Sequence, residues 1–193
     1  MIAVVTLPHF FPEEVDAIKR LLESGAVDRM HVRKPESTRL QMESLLDKIP
    51  AHLYPRLSLH DCHELARDRG CGVHLNGRHP SPPPAFDGIV SVSCHSTGEL
   101  AGSRWADYRF ISPIYPSISK PGYIPIFTLD SIRTVVDRRT IALGGVTPEK
   151  FAELATAGMG GAALSGHIWN GVERGEIETI INEIHKNKIC FSL

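Results

Sequence analysis

Several things are missing from this chain, and each absence removes a class of protein. No apolar run approaches the roughly 18 residues needed to cross a bilayer. The opening MIAVVTLPHF has no cationic stretch followed by a long apolar one, so no membrane association and no secretory leader are expected. Charge of one sign is not in excess: 21 Lys and Arg face 22 Asp and Glu, a formal net charge of -1. That balance gives no sequence-wide attraction to nucleic acid or acidic membranes, and neither is expected as a partner. The four cysteines, Cys62, Cys71, Cys94 and Cys190, include no C-x-x-C pair. Free thiols in a reducing compartment fit better than a disulfide framework or a structural zinc site. No linker, repeat or charge run divides the chain. One domain over residues 1–193 and a cytoplasmic location are the expectation.

What is present is a core and a rhythm. Hydrophobic residues make up 42% of the 193 positions and charged residues 22%, the balance of a globular domain able to bury a sizeable interior. Short β-branched runs occur at Ile2–Leu7, Arg29–Val32, Arg56–Leu59, Gly72–Leu75, Ile89–Ser93, Tyr108–Ile111, Thr140–Leu143 and Gly161–Leu164. Most are nearly continuous in hydrophobicity, as parallel strands covered on both faces are. Between them lie stretches with apolar residues three and four apart. Glu13–Leu22 carries Val15, Ile18, Leu21 and Leu22; Leu40–Ile49 carries Leu45, Leu46 and Ile49; Ile177–His185 carries Ile177, Ile180, Ile181 and Ile184. Thr147–Ala157 opens on Thr147 as N-cap with Pro148 in the first helical position, and stops before Gly158.

Eight strands with intervening helices predict an α/β fold, a single (β/α)8 TIM barrel, with a six-stranded doubly wound sheet as the alternative. The barrel would be small, since typical ones run to about 250 residues. The segment NGRHPSPPPAFDG (Asn76–Gly88) cannot form a regular helix, because Pro80, Pro82, Pro83 and Pro84 remove donors and clash with a helical turn. The helix after the fourth strand is therefore predicted to be missing.

In such a barrel the chemistry sits at the C-terminal strand ends. Those ends bring His31, Arg33 and Lys34, then His60 and Asp61, then His74 and His79, then Cys94 and His95 to one rim. The later strands add Ser117, Ser119 and Lys120, then Gly144 and Gly145, then Ser165 and Gly166. Glycines beside helix starts let backbone N–H groups approach an anion, and the loops after strands 7 and 8 are a recurrent phosphate site in this fold. Hydroxyls at Ser117 and Ser119 beside Lys120 suit phosphate oxygens in a loop that covers a substrate. Asp61 is suited either to Mg²⁺ or to capping the helix that follows it. The rim histidines raise the alternative of a softer metal site, although no spacing such as H-E-x-x-H supports one.

These motifs resemble the family of thiamine phosphate synthase and its relative, the thiazole tautomerase. The resemblance runs nearly end to end and is strongest in SPIYPSISKP (Ser112–Pro121), in IALGGVTPE and in GGAALSGHIW, with HVRKP, LHDCHELA, GVHLNGRHP and VSCHS in support. It implies a transferase of thiamine biosynthesis that joins hydroxymethylpyrimidine diphosphate to a thiazole phosphate and releases diphosphate. By that resemblance the catalytic groups are Lys120, Arg33, His31 and His60, with Arg33, Ser117, Ser119 and Lys120 on the diphosphate. Lys34, His95, Gly144, Gly145, Ser165 and Gly166 complete substrate binding, the last four around the thiazole phosphate, and Asp61 holds Mg²⁺. Phosphorylated small molecules are the implied ligands, and a homodimer is allowed.

The sequence departs from the family pattern at informative places. His31 stands where the family has Gln, His60 where it has Asn, and His79 where a second Mg²⁺ carboxylate is expected, which makes His79 the candidate second metal ligand. The second basic residue of the family's Arg-x-Lys pattern is shifted to Lys34. A tautomerase-like isomerase working by proton transfer without Mg²⁺ is the alternative, although Pro113 occupies the position of its catalytic histidine. A non-catalytic binder of thiazole or thiamine phosphate is the third reading.

Overall fold

Aliphatic runs too short for a helix and too apolar for a surface loop become strands buried on both faces. The computed structural model describes residues 1–116, 118, 125 and 127–191. In chain order it contains β1 (Ile2–Val5), α1 (Glu14–Glu23), β2 (Arg29–Val32), α2 (Arg39–Leu46), β3 (Leu57–Leu59), α3 (Glu64–Arg69), β4 (Gly72–Leu75) and β5 (Val90–Cys94). There follow α4 (Thr97–Gly102), β6 (Tyr108–Ile111), α5 (Leu129–Ile132), β7 (Thr140–Ala142), α6 (Phe151–Thr156), β8 (Gly161–Leu164), α7 (Gly166–Glu173) and α8 (Ile177–Asn187). Every strand pairs in parallel with the next, and β8 closes onto β1. The barrel is thus the fold and the doubly wound alternative is excluded. Between β4 and β5 no helix forms, as the prolines require.

Two apolar layers follow from strand alternation. In β2, Met30 and Val32 face outward into the shell between strands and helices, as do Leu57, Leu59, Val73 and Leu75 of the next two strands. The helices complete this shell with the stripes read from sequence: Ala17, Ile18, Leu21 and Leu22 from α1, and Ile177, Ile180, Ile181 and Ile184 from α8. Each leucine and isoleucine of these stripes contributes about 1.5–3 kcal/mol on burial. Inside the barrel, Ala3, Val5, Phe110, Ile141 and Ala163 pack with the ring of Tyr108.

Local signals set the helix ends. Thr38 accepts the Gln41 N–H while the Gln41 side chain returns to the Thr38 N–H, a capping box that starts α2. The helix expected from Thr147 begins as a 3₁₀ turn over Pro148–Lys150 and continues as α6, and Gly158 ends it with a φ of +97°. No helix among the described residues is long and apolar enough to cross a membrane.

Candidate active site

The mouth of the barrel, at the C-terminal strand ends, holds a cavity of about 450 Å³ lined by residues of seven strand ends or the loops that follow them. Its polar lining is Arg33, His60, Asn76, Arg78, Ser93, His95 and Ser112. There is no carboxylate among the lining residues. Arg33 is half-buried, and its guanidinium makes no hydrogen bond to any described residue; its backbone is engaged by Thr6, whose Oγ1 accepts the Arg33 N–H at 2.9 Å and donates to the Arg33 carbonyl at 3.3 Å. Two guanidinium groups without a lining acid make this a site for an anion.

Beneath the cavity lies a stack of imidazoles. His31 Nδ1 meets His60 Nε2 at 2.9 Å, and His31 Nε2 meets the Tyr108 hydroxyl at 2.9 Å. Tyr108 in turn reaches Ser58 Oγ at 3.2 Å, which accepts from Arg29 Nη1 at 3.2 Å. His74 places Nδ1 on Ser91 Oγ and Nε2 on Ser93 Oγ, both at 2.8 Å. Strand register explains the assembly. His31 is paired with Ser58, His74 with Ser91 and Ser91 with Tyr108, so their side chains point together at the axis. Burial disfavours the imidazolium and pushes His31 and His60 well below the ordinary histidine range, and His74 down to about 3.

These three neutral rings each offer a nitrogen within 4.8 Å of the others, which raises the question of a soft metal. The ring geometry answers it. His60 and His74 are stacked at 4.0 Å with planes only 21° apart, and a nitrogen lone pair lies in its ring plane, so the two do not converge on one ion. Both His74 nitrogens are already hydrogen-bonded to serines. The cluster is a satisfied polar core on which only His60 reaches the cavity lining.

The residues proposed for Mg²⁺ are also brought together, in a form that does not suit it. Asp61 and His79 approach to 3.6 Å. Asp61 Oδ2 accepts the backbone N–H of Lys34 at 3.0 Å, and Oδ1 accepts from Nε and Nη2 of Arg78 at 3.2 and 2.8 Å. A guanidinium seated on the carboxylate repels a divalent cation and takes the lone pairs it would use. The donor set present, one neutralised carboxylate and one imidazole, does not fit Mg²⁺. Nor does Asp61 cap α3, whose first-turn flank is His63.

The remaining expected site residues separate into four groups. Lys34 folds inward: its ammonium is fully buried and donates to Glu14 Oε1 at 2.5 Å and to the carbonyls of Leu7 and His9. Burial draws both partners toward neutrality, raising Glu14 and lowering Lys34. Lys34 therefore fastens the loop between β1 and α1 rather than facing the cavity. Gly144 and Gly145, with φ of +94° and +64°, follow Leu143 of the lining, and a Cβ on Gly145 would lie 2.1 Å from the Pro116 carbonyl oxygen. Ser165 precedes the first turn of α7, whose N-terminal N–H groups open beside β7 and β1, with Gly166 as its first residue. Ser117, Ser119 and Lys120 lie outside the described residues. Sequence reasoning missed Arg78 and Tyr108: the first sat in a segment noted for its prolines and for His79, the second in a run read only as a strand.

Comparison with known proteins gives the family. The family described as thiamine monophosphate synthase matches residues 2–168. A solved thiamine phosphate pyrophosphorylase from Bacteroides thetaiotaomicron is 33% identical, covering 97% of this chain and 96% of its own, with a TM-score of 0.85. The thiamine-phosphate synthase of Lactococcus lactis subsp. lactis (strain IL1403) is 27% identical over 178 residues, 81% of this chain and 83% of that protein. A thiamine phosphate pyrophosphorylase from Pyrococcus furiosus, 20% identical with a TM-score of 0.74 and covering 96% of this chain and 93% of its own, shares the fold.

Proposed function

The chain belongs to the thiamine monophosphate synthase family, and from that premise we propose that it joins hydroxymethylpyrimidine diphosphate to a thiazole phosphate, releasing diphosphate. In this reading the bond between the pyrimidine methylene carbon and the diphosphate oxygen breaks, and the oxygen keeps the electron pair. The thiazole nitrogen then supplies its lone pair to the resulting cation. The slow event is separation of charge, so the protein's task is to hold positive charge where the diphosphate becomes more anionic. The observation that carries the reading is the acid-free mouth with Arg33 and Arg78 in its lining.

Around that centre, His60, Asn76, Ser93 and Ser112 offer donors and acceptors to the pyrimidine, and His95 stands beside Ser112, its Nδ1 3.2 Å from the Ser112 carbonyl. The thiazole phosphate is assigned to the N–H groups around Gly144 and Gly145 and at Ser165 and Gly166 where α7 begins. Ser117, Ser119 and Lys120 enter this reading only through the resemblance. An isomerase cycling through a proton on the barrel histidines is less well supported, because burial disfavours the imidazolium such a cycle must pass through.

The test is direct incubation of the purified protein with both substrates and detection of thiamine phosphate. Product is expected, and Arg33→Ala is expected to lower kcat/KM by about a hundredfold, the scale of one lost charge-assisted contact in a transition state. Folded protein that makes no product under any metal condition overturns the reading.

A further inference from the structure

Among the described residues of the mouth, Arg78 is the cation whose position is fixed by a buried carboxylate. The Asp61 side chain is only 7% exposed, whereas that of Arg78 is 43% exposed, so the pair bridges the interior and the cavity. Both contacts run from Nε and Nη2 to a single oxygen, Oδ1, and no described residue engages Nη1. The loop that carries Arg78 is itself braced. The Arg78 N–H donates to Asn76 Oδ1 at 2.9 Å, Asn76 and His79 exchange backbone hydrogen bonds at 3.1 and 3.0 Å, and Asn76 Nδ2 donates to the His60 carbonyl at 3.1 Å. A planar guanidinium held this way presents fixed donors to a phosphate without rearranging as charge develops. Arg33 pairs with no carboxylate among the described residues, so their lining of the mouth keeps a net positive charge after Asp61 has neutralised one arginine.

We propose that Arg78, positioned by Asp61, takes on the leaving diphosphate the charge role of a divalent cation, so that diphosphate binding and turnover in this protein require no metal. The inference rests on the synthase reading for turnover but not for binding. Arg78 is the group that touches the diphosphate, and Asp61 acts through it as a positioning residue. The residue types agree: where a metal site would need a second carboxylate, this chain has His79, and beside it an arginine occupies the first.

The experiment uses protein stripped with a chelator. Titration with inorganic diphosphate is followed by calorimetry with chelator present and again with excess Mg²⁺, and thiamine phosphate formation is measured under the same two conditions. Equal diphosphate affinity and equal product in both are expected. Arg78→Gln should weaken diphosphate binding by about tenfold or more, and Arg78→Lys should recover part of it by restoring charge without the fork. Asp61→Asn, which keeps the arginine but loosens it, should raise KM for the diphosphate substrate and introduce no response to Mg²⁺. Because Arg78 is half-exposed, its variants are expected to fold, and circular dichroism checks this. Binding or product that appears only with Mg²⁺ overturns the inference and leaves the synthase reading standing. Metal-free diphosphate binding that depends on Arg78, with no product in either condition, supports the anion site and overturns the synthase reading instead. Diphosphate affinity unchanged in folded Arg78→Gln overturns the inference.

Discussion

The two halves of the barrel interior are built to opposite rules. On the side of β1, β7 and β8 the axis is filled by Ala3, Val5, Ile141 and Ala163 against Phe110 of β6, a packing of shapes with nothing to satisfy. Across from it, β2 to β5 turn His31, Ser58, His74 and Ser91 to the same axis, joined by Tyr108 from β6. The outer faces of β2 to β4 are apolar, and those of β6 and β7 carry the buried Arg109 and Thr140 among apolar neighbours, so the contrast drawn here is one of the inward positions. An apolar half loses stability in proportion to the volume removed. A polar half stands or falls by whether every donor finds an acceptor, because an orphaned group in a dry interior is costly. Both halves reach the cavity, the apolar one through Val5 and the polar one through His60 and Ser93.

That contrast can be broken from either side. The largest effect is expected from Phe110→Ala, which should cost about 3–5 kcal/mol through the cavity it leaves, read as a shift in the denaturant midpoint with an unchanged m-value. Next, Tyr108→Phe should cost about 1–3 kcal/mol, since it removes almost no volume but strands His31 Nε2 and leaves Ser58 with Arg29 alone of the partners in this network. Combining it with His31→Leu should be less destabilising than the sum of the two single changes, because both ends of the broken bond are then gone. Additive behaviour would show that the network does not act as a unit.

The smallest effect is the pH slope. The barrel histidines are held below their ordinary value of 6.5 by burial, His74 down to about 3. Between these limits the unfolded chain binds protons that the folded chain refuses. Stability from this source is therefore complete above about pH 6.5 and declines as pH falls, by about 1.4 kcal/mol per pH unit for each histidine that stays neutral. Ile141→Val, in the apolar half, should keep that slope, whereas His74→Gln should reduce it by one histidine's share. Equilibrium unfolding at pH 7.5, 6.5 and 5.5, values chosen to span about one unit either side of the histidine reference, measures it.

The same contrast explains what could be read in the sequence. Strand positions and the missing helix after β4 were legible because continuous apolar runs and clustered prolines act locally. The missing second carboxylate was legible too, as His79 standing opposite the lone Asp61. What could not be read was direction. His31 and His74 sit at strand ends and count as rim groups by position, yet the period of two aims them down the axis. Lys34 is likewise one residue past Arg33, but it turns into the loop after β1 to meet Glu14, a partner 20 residues away that no local pattern names. The pairing of Arg78 with Asp61 spans 17 residues and depends on the path of a loop with no regular structure.

Gly145 has a bearing on how this mouth can be altered. Any side chain there would enter the Pro116 carbonyl, so the turn after β7 and the start of the loop after β6 are interlocked pieces. Grafting the β6 loop of another barrel into this one, to change what the mouth accepts, would need the glycine turn to travel with it. The two segments form a single exchangeable cassette, and variation in one of them alone is confined to what the other leaves open.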